Sequence, residues 1–209
     1  MHLPDGILSP PVWIAGDIIA AGVLTVCARR ASKQLTDRRV PLMGVLGAFV
    51  FAAQMINFPV PGGTSGHLMG GVLLAVLLGP ASSSVVLFCV FLVQALLFQD
   101  GGITVLGPNM INMGLVGAFG GWAVFRLIAG NSKSTRMYLG IFVACWASVV
   151  VGSLLAALQL WLSGSAPFGP IMVTMGGVHA LIGIGEGLIT VATVRFLVNA
   201  RPELLESRL

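Results

Sequence analysis

Apolar runs separated by Gly, Pro, Ser or charged residues lie at about 11–31, 40–58, 67–79, 81–98, 108–128, 137–162 and 170–197. Crossing the hydrocarbon core of a bilayer takes about 20 apolar residues in a helix. The pattern therefore predicts an all-α integral membrane protein with about seven transmembrane helices, in a single polytopic domain covering 1–209. Two stretches break the pattern. The third run is short and Gly-rich (Leu68, Met69, Gly70, Gly71), and Gly101 to Met113 holds Pro108, Asn109 and Asn112. Each is a candidate for a broken or re-entrant segment, whose backbone is tolerated only where protein or water satisfies it. Gly16 with Ala20, Gly117 with Gly121 and Gly183 with Gly187 form small faces for close helix contact, within the bundle or with a partner subunit.

Composition excludes a large soluble catalytic domain, since only 9% of residues are charged against 56% hydrophobic, with a mean hydropathy of +0.98. The net charge of +4 does not indicate nucleic acid, because no basic patch interleaved with aromatics appears. It indicates topology. Arg29, Arg30, Lys33, Arg38 and Arg39 cluster around the junction of the first and second runs; Arg126, Lys133 and Arg136 flank the connection from the fifth to the sixth; Arg195, Arg201 and Arg208 lie at the C-terminal end. Seven crossings put all of them on one side, which the positive-inside rule assigns to the cytoplasm. The N-terminus is then expected outside and the C-terminus inside. The outer face carries no Lys or Arg but has His2, Asp5, His67 and Asp100, a setting hospitable to a cation. With no basic residue before Arg29 to start a secretory signal, the first residues are expected to be retained. Cys27, Cys89 and Cys145 fall in apolar stretches without a C-x-x-C pair and read as small packing residues.

No HExxH, GxSxG or GxxxxGK[ST] motif is present, so neither catalysis nor ATP-driven work is visible in this chain. The notable residue is His2. A terminal amine on Met1, the backbone nitrogen of His2 and the His2 Nδ1 can close adjoining five- and six-membered chelate rings, filling three of four planar positions. Such a nitrogen field suits Ni(II) or Cu(II), with Co(II) possible, and fits tetrahedral Zn(II) poorly. Proton competition for the amine and imidazoles sets in below about pH 6 to 7. The bland alternative is a solvated terminal histidine. His67 follows a Pro- and Gly-rich stretch, 59–66; it either presents a fourth nitrogen or sits at the start of a helix that Thr64 or Ser65 caps.

The opening Met1-His2-Leu3-Pro4-Asp5-Gly6, the segment Gly66-His67-Leu68-Met69-Gly70-Gly71, the stretch Asp100-Gly101-Gly102-Ile103-Thr104 running to Asn109 and Asn112-Met113-Gly114, and His179-Ala180-Leu181-Ile182-Gly183 with Gly185-Glu186 together resemble the CbiM/NikM family. These are substrate-capture (S) components of energy-coupling-factor (ECF) cobalt and nickel transporters. The resemblance covers essentially the whole chain. It implies a seven-helix fold in a prokaryotic cytoplasmic membrane, with the N-terminus entering the protein from the outer face. It also implies a square-planar site for Ni(2+) or Co(2+) as transported substrate, built from the Met1 amine, the His2 backbone nitrogen and imidazole, and the His67 imidazole. Implied partners are a membrane coupling (T) subunit, cytoplasmic ATPases and, in some systems, a small accessory membrane subunit. No further apolar run follows that would supply the accessory part within this chain. The chain itself is expected not to be an enzyme.

Other polar residues stay open at this level. Asp5, Thr64, Ser65, Asp100, Asn109 and Asn112 either surround the site or shape loops. Asp17, His179 and Glu186 are intramembrane ionisable groups that require a partner; His179 and Glu186, seven apart, share nearly one helix face. A competing reading is a secondary transporter coupled to protons through Asp17 and Glu186.

Overall fold

The computed structural model describes residues 1–56, 58–60, 64–130 and 135–201. Among them are seven helices in chain order, one for each apolar run: α1 (Pro10–Ser32), α2 (Arg39–Gln54), α3 (Gly71–Leu78), α4 (Pro80–Phe98), α5 (Leu106–Ala129), α6 (Thr135–Leu162) and α7 (Phe168–Ala200). A short antiparallel pair, β1 (Phe58–Val60) and β2 (Thr64–Gly66), precedes α3. Five helices, α1 and α4 to α7, are long and apolar enough to cross a membrane; α2 is apolar but shorter. Large apolar side chains face outward on them, among them Leu127 (84% exposed), Val173 (76%) and Leu181 (72%). Such residues have no aqueous rationale and suit a lipid surround.

The helix ends have local causes. Pro10 and Pro11 open α1, where the missing N–H costs nothing. α6 stops at Gly164, whose φ of 72° is accompanied by a bond from Ser165 N to Leu160 O, the closing bond of a Schellman turn.

The third apolar run is the main departure from expectation. The sequence suggests a helix starting at His67, with Thr64 or Ser65 as its cap. Instead 67–70 has no regular secondary structure and α3 starts only at Gly71, behind a left-handed Gly70 (φ 72°) with no side-chain cap. The side chains of Thr64 and Ser65 lie outside the described residues. Tertiary bonds explain the delay. Glu186 accepts from the N–H groups of Met69 (2.6 Å) and Gly70 (2.9 Å), and Gln54 donates to the Met69 carbonyl (2.7 Å), so these groups are unavailable for a helical ladder. At eight residues, α3 is about 12 Å long and cannot cross about 30 Å of hydrocarbon. All eight of its residues are buried. Its polar ends are therefore satisfied by protein, as a broken segment in a membrane requires.

α5 is widened into π-helical turns over Met110–Gly121. These turns bring the Asn112 carbonyl against Gly152, where any Cβ would collide with it. The small pairs serve contacts inside the chain: a Cβ on Gly117 would stand 2.9 Å from the Gly71 Cα, Gly16 abuts Pro108, and Gly183 and Gly187 of α7 abut Trp146 and Phe142 of α6.

The two ends of the bundle differ in their polar residues. Arg29 and Arg30 lie in the last turn of α1 and Arg126 in the last turn of α5; Arg30 and Lys33 border a cleft shared with Gly79 and Pro80, where α3 meets α4. At the opposite end the N-terminal segment meets the α6–α7 connection, with Ser9 Oγ 3.4 Å from Ser163 Oγ and Ser165 Oγ donating to the Ile7 carbonyl.

Candidate metal centre

Residues 1–9 precede the first helix, yet Met1 and Leu3 have no exposed surface and His2 only 5%. The segment is threaded into the bundle. Leu3 and Leu8 join an apolar cluster with Val105, Ala156, Ala157, Leu160, Ile171 and Met175. The backbone of Leu3 is read by one side chain: its N–H donates to Asn109 Oδ1 (2.8 Å) and its carbonyl accepts from Asn109 Nδ2 (3.0 Å) as well as from Gly102 N (2.9 Å). Asn109 thus acts as a strand edge for the tail. The Asp5 carboxylate accepts from Ile103 N (3.1 Å), Thr104 N (2.8 Å) and the Thr104 hydroxyl. The Thr104 hydroxyl is the main influence holding Asp5 below the usual carboxylate range. Gly101 (φ 90°) and Gly102 lie so close to His2 and Asp5 that side chains there would collide or strain.

This docking places three nitrogen-bearing groups together. The His2 and His67 rings are stacked, with centroids 4.5 Å apart and planes 17° from parallel, and the edge of His2 meets Phe91 at 5.2 Å. His67 is fully buried. Its Nδ1 lies 2.8 Å from the Leu68 carbonyl, which only accepts, so Nδ1 carries the proton and Nε2 holds a lone pair. That Nε2 is buried without a hydrogen-bond partner among the described residues, as are both ring nitrogens of His2. His2 Nδ1 stands 3.3 Å from Asp100 Oδ1, an ion-pair separation without hydrogen-bond alignment.

Burial pushes the Met1 amine from its ordinary value near 8 down to about 5, against the opposing attraction of Asp100. Burial likewise lowers His2, with Asp100 opposing and the Met1 amine assisting. Near neutral pH the pocket therefore holds uncharged nitrogen donors. Leaving such groups unpaired costs about 1–3 kcal/mol each, an arrangement suited to an electrophile that accepts several lone pairs. No group of three or more His, Cys, Asp or Glu side chains among the described residues is placed to hold a metal.

The other candidates have their own partners. Asn112 exchanges two bonds with Gln159 (2.7 and 2.9 Å). Asp17 accepts from Gly107 N (2.7 Å) at the start of α5. His179 and Glu186 do not bond each other: His179 Nδ1 meets the Met175 carbonyl (2.8 Å), while Glu186 holds Met69 and Gly70. Gln54 and Gln94 were not foreseen. Gln94 donates to Gln54 (3.0 Å), and Gln54 to the Met69 carbonyl, so both Met69 backbone groups are held two residues past His67. A neutral amide within an apolar run gives no periodic or charge signal; its rarity there was the only clue.

The family described as the cobalt uptake substrate-specific transmembrane region matches residues 2–204. A putative metal transport protein of Haloquadratum walsbyi is 38% identical over 98% of this chain and 93% of its own length. A putative fused nickel transport protein NikMN of Archaeoglobus fulgidus is 37% identical over 100% of this chain and 69% of its own. A cobalt transport protein CbiM of Geobacter sulfurreducens is 32% identical over 98% of this chain and 61% of its own. A crystal structure of a truncated transition metal transporter superposes with a TM-score of 0.89 at 32% identity, covering 96% of this chain and 99% of that one. The fold is thus shared with a solved transition metal transporter, and the chain belongs to the CbiM/NikM family of cobalt and nickel transport membrane proteins.

Proposed function

We propose that this chain is the substrate-binding membrane subunit of an ECF-type importer of divalent nickel or cobalt. It captures the ion at the outer face through the Met1 amine, the His2 backbone nitrogen and imidazole, and His67 Nε2. The observation that carries the reading is the buried Nε2 of His67, without a hydrogen-bond partner among the described residues and with its tautomer fixed by Leu68 O, against the ring of His2 beside a buried amine. A backbone carbonyl fixing the far side of an imidazole is how metal-ligating histidines are commonly oriented. Loading turns the His2 ring so that Nδ1 leaves Asp100 and faces the plane, and the His2 amide gives up its proton. Energy for transport comes from a coupling subunit and cytoplasmic ATPases, docking at the basic end of the bundle. Asp17 and Glu186 are both engaged with backbone N–H groups, which counts against their serving as free proton carriers in a secondary transporter.

The test is an N-terminal extension. One residue added before Met1 converts its amine to an amide and moves His2 to third place, so a backbone nitrogen takes the position meant for His67. Uptake of Ni2+ or Co2+ by the assembled transporter is then lost, as it is with His2→Ala or His67→Ala, and the purified unaltered chain shows the absorption of planar low-spin Ni(II). Normal uptake by a correctly inserted, uncleaved extended protein would remove the proposed site.

A further inference from the structure

We infer that His179 is a further metal-contacting residue: its Nε2, with that of His67, forms a second, two-imidazole station that the ion occupies when the N-terminal nitrogens let go. The inference rests on the capture reading above and adds a position beyond it. His179 is fully buried, and its Nε2 has no hydrogen-bond partner among the described residues. Its Nδ1, 2.8 Å from the Met175 carbonyl, must be the donor in that contact, so Nε2 holds a lone pair. This is the construction found at His67, where the Leu68 carbonyl plays the same part. Two buried histidines with tautomers fixed alike, each offering Nε2, match the way proteins prepare imidazoles for metal.

Position joins the two. The buried face of α7 runs through Ile171, Met175, His179, Gly183 and Glu186. Met175 belongs to the apolar cluster that takes in Leu3 of the N-terminal segment, and Glu186 holds the backbone just past His67. His179 lies between these anchors, within electrostatic reach of both the Met1 amine and His67. Two imidazoles bind a divalent ion more loosely than four planar nitrogens and leave its remaining positions to water. The station therefore gives the ion an exit from a tight chelate without breaking every bond at once.

The test uses the full chain with one residue added before Met1 and His2→Ala, which removes the terminal chelate. Ni2+ alone is the probe. This protein should keep weaker binding, without planar absorption, and X-ray absorption should count two imidazoles. Adding His179→Asn, whose side-chain amide can keep the bond to the Met175 carbonyl but lacks Nε2, should weaken binding by about tenfold or more. Absence of residual binding in the monodisperse protein, or residual binding indifferent to His179→Asn, overturns the inference. Should the altered tail prevent folding, release of Ni2+ from the otherwise unaltered protein to excess chelator gives an independent reading. His179→Asn should slow release about tenfold, and an unchanged rate overturns the station. Failure of the capture reading is recognised separately, by the absence of planar Ni(II) absorption in the unaltered protein.

Discussion

Loading the apoprotein with Ni2+ at pH 7 should release about one proton per ion, where an exposed terminal chelate releases nearly two. The count follows from burial. An amine titrating near 8 is roughly 90% protonated at pH 7, whereas one titrating at about 5 is protonated to only about 1%. His2 is likewise lowered by burial, and the Nδ1 of His67 keeps its proton for Leu68 O. Only the His2 amide is left to give one up. The sign can be checked through docking of the tail. The docked amine binds fewer protons than the undocked one between pH 5 and 8, so docking strengthens as pH rises through that window and its penalty is complete below 5. The difference of about three units amounts to about 4 kcal/mol. The amine's share in proton competition thus moves from the range read off the sequence to about pH 5. Titration calorimetry in buffers of different ionisation enthalpy measures the released protons directly, and the logarithm of affinity should rise about one unit per pH unit between 5.5 and 7.5. A release near two protons, or a slope near two, would refute the argument that the amine is buried and neutral before the ion arrives.

Asn109→Ala leaves the buried Leu3 N–H without its acceptor at about 1–3 kcal/mol, so Ni2+ affinity should fall roughly five- to hundredfold with little change in the unfolding temperature of the bundle; equal losses in both would mean a general packing role. Glu186→Gln exchanges a two-oxygen acceptor for one oxygen and a competing donor beside Met69 and Gly70, and should lower affinity by about tenfold or more, read by competition with a coloured chelator. Gly117→Ala sets a Cβ 2.9 Å from the Gly71 Cα and should cost about 1–3 kcal/mol, visible as a lower unfolding temperature in detergent; an unchanged temperature would mean that α3 and α5 are not in this contact.

The legible part of the fold was what repeats over many residues. Seven apolar runs became seven helices because length and hydropathy accumulate along a segment and need no knowledge of its neighbours. The start of α3 could not be read that way. Whether 67–70 continues a helix is decided by Glu186 and Gln54, 117 residues ahead and 15 behind. At the candidate centre, His2 is legible because position two beside a terminal amine allows adjoining chelate rings, His67 as a second histidine expected on the same face, and Asn109 as part of a stretch that breaks the apolar pattern. The partnership of Asn109 with the main chain of Leu3, 106 residues away, has no counterpart in local pattern, and the same holds for Gln159 against Asn112.

The Met69 peptide groups have a mechanical meaning. One is tethered through Gln54 and Gln94 to α2 and α4, the other through Glu186 to α7, so the segment carrying His67 is slung between helices like a hammock between posts. Spreading α2 from α7 by about an ångström would carry these short hydrogen bonds past bonding distance, so the segment must follow one post and leave the other. The imidazole rides on that segment two residues away. Moving the posts and disturbing the nitrogen are then a single motion, one that a force applied at the far ends of these helices can deliver without ever touching the ion.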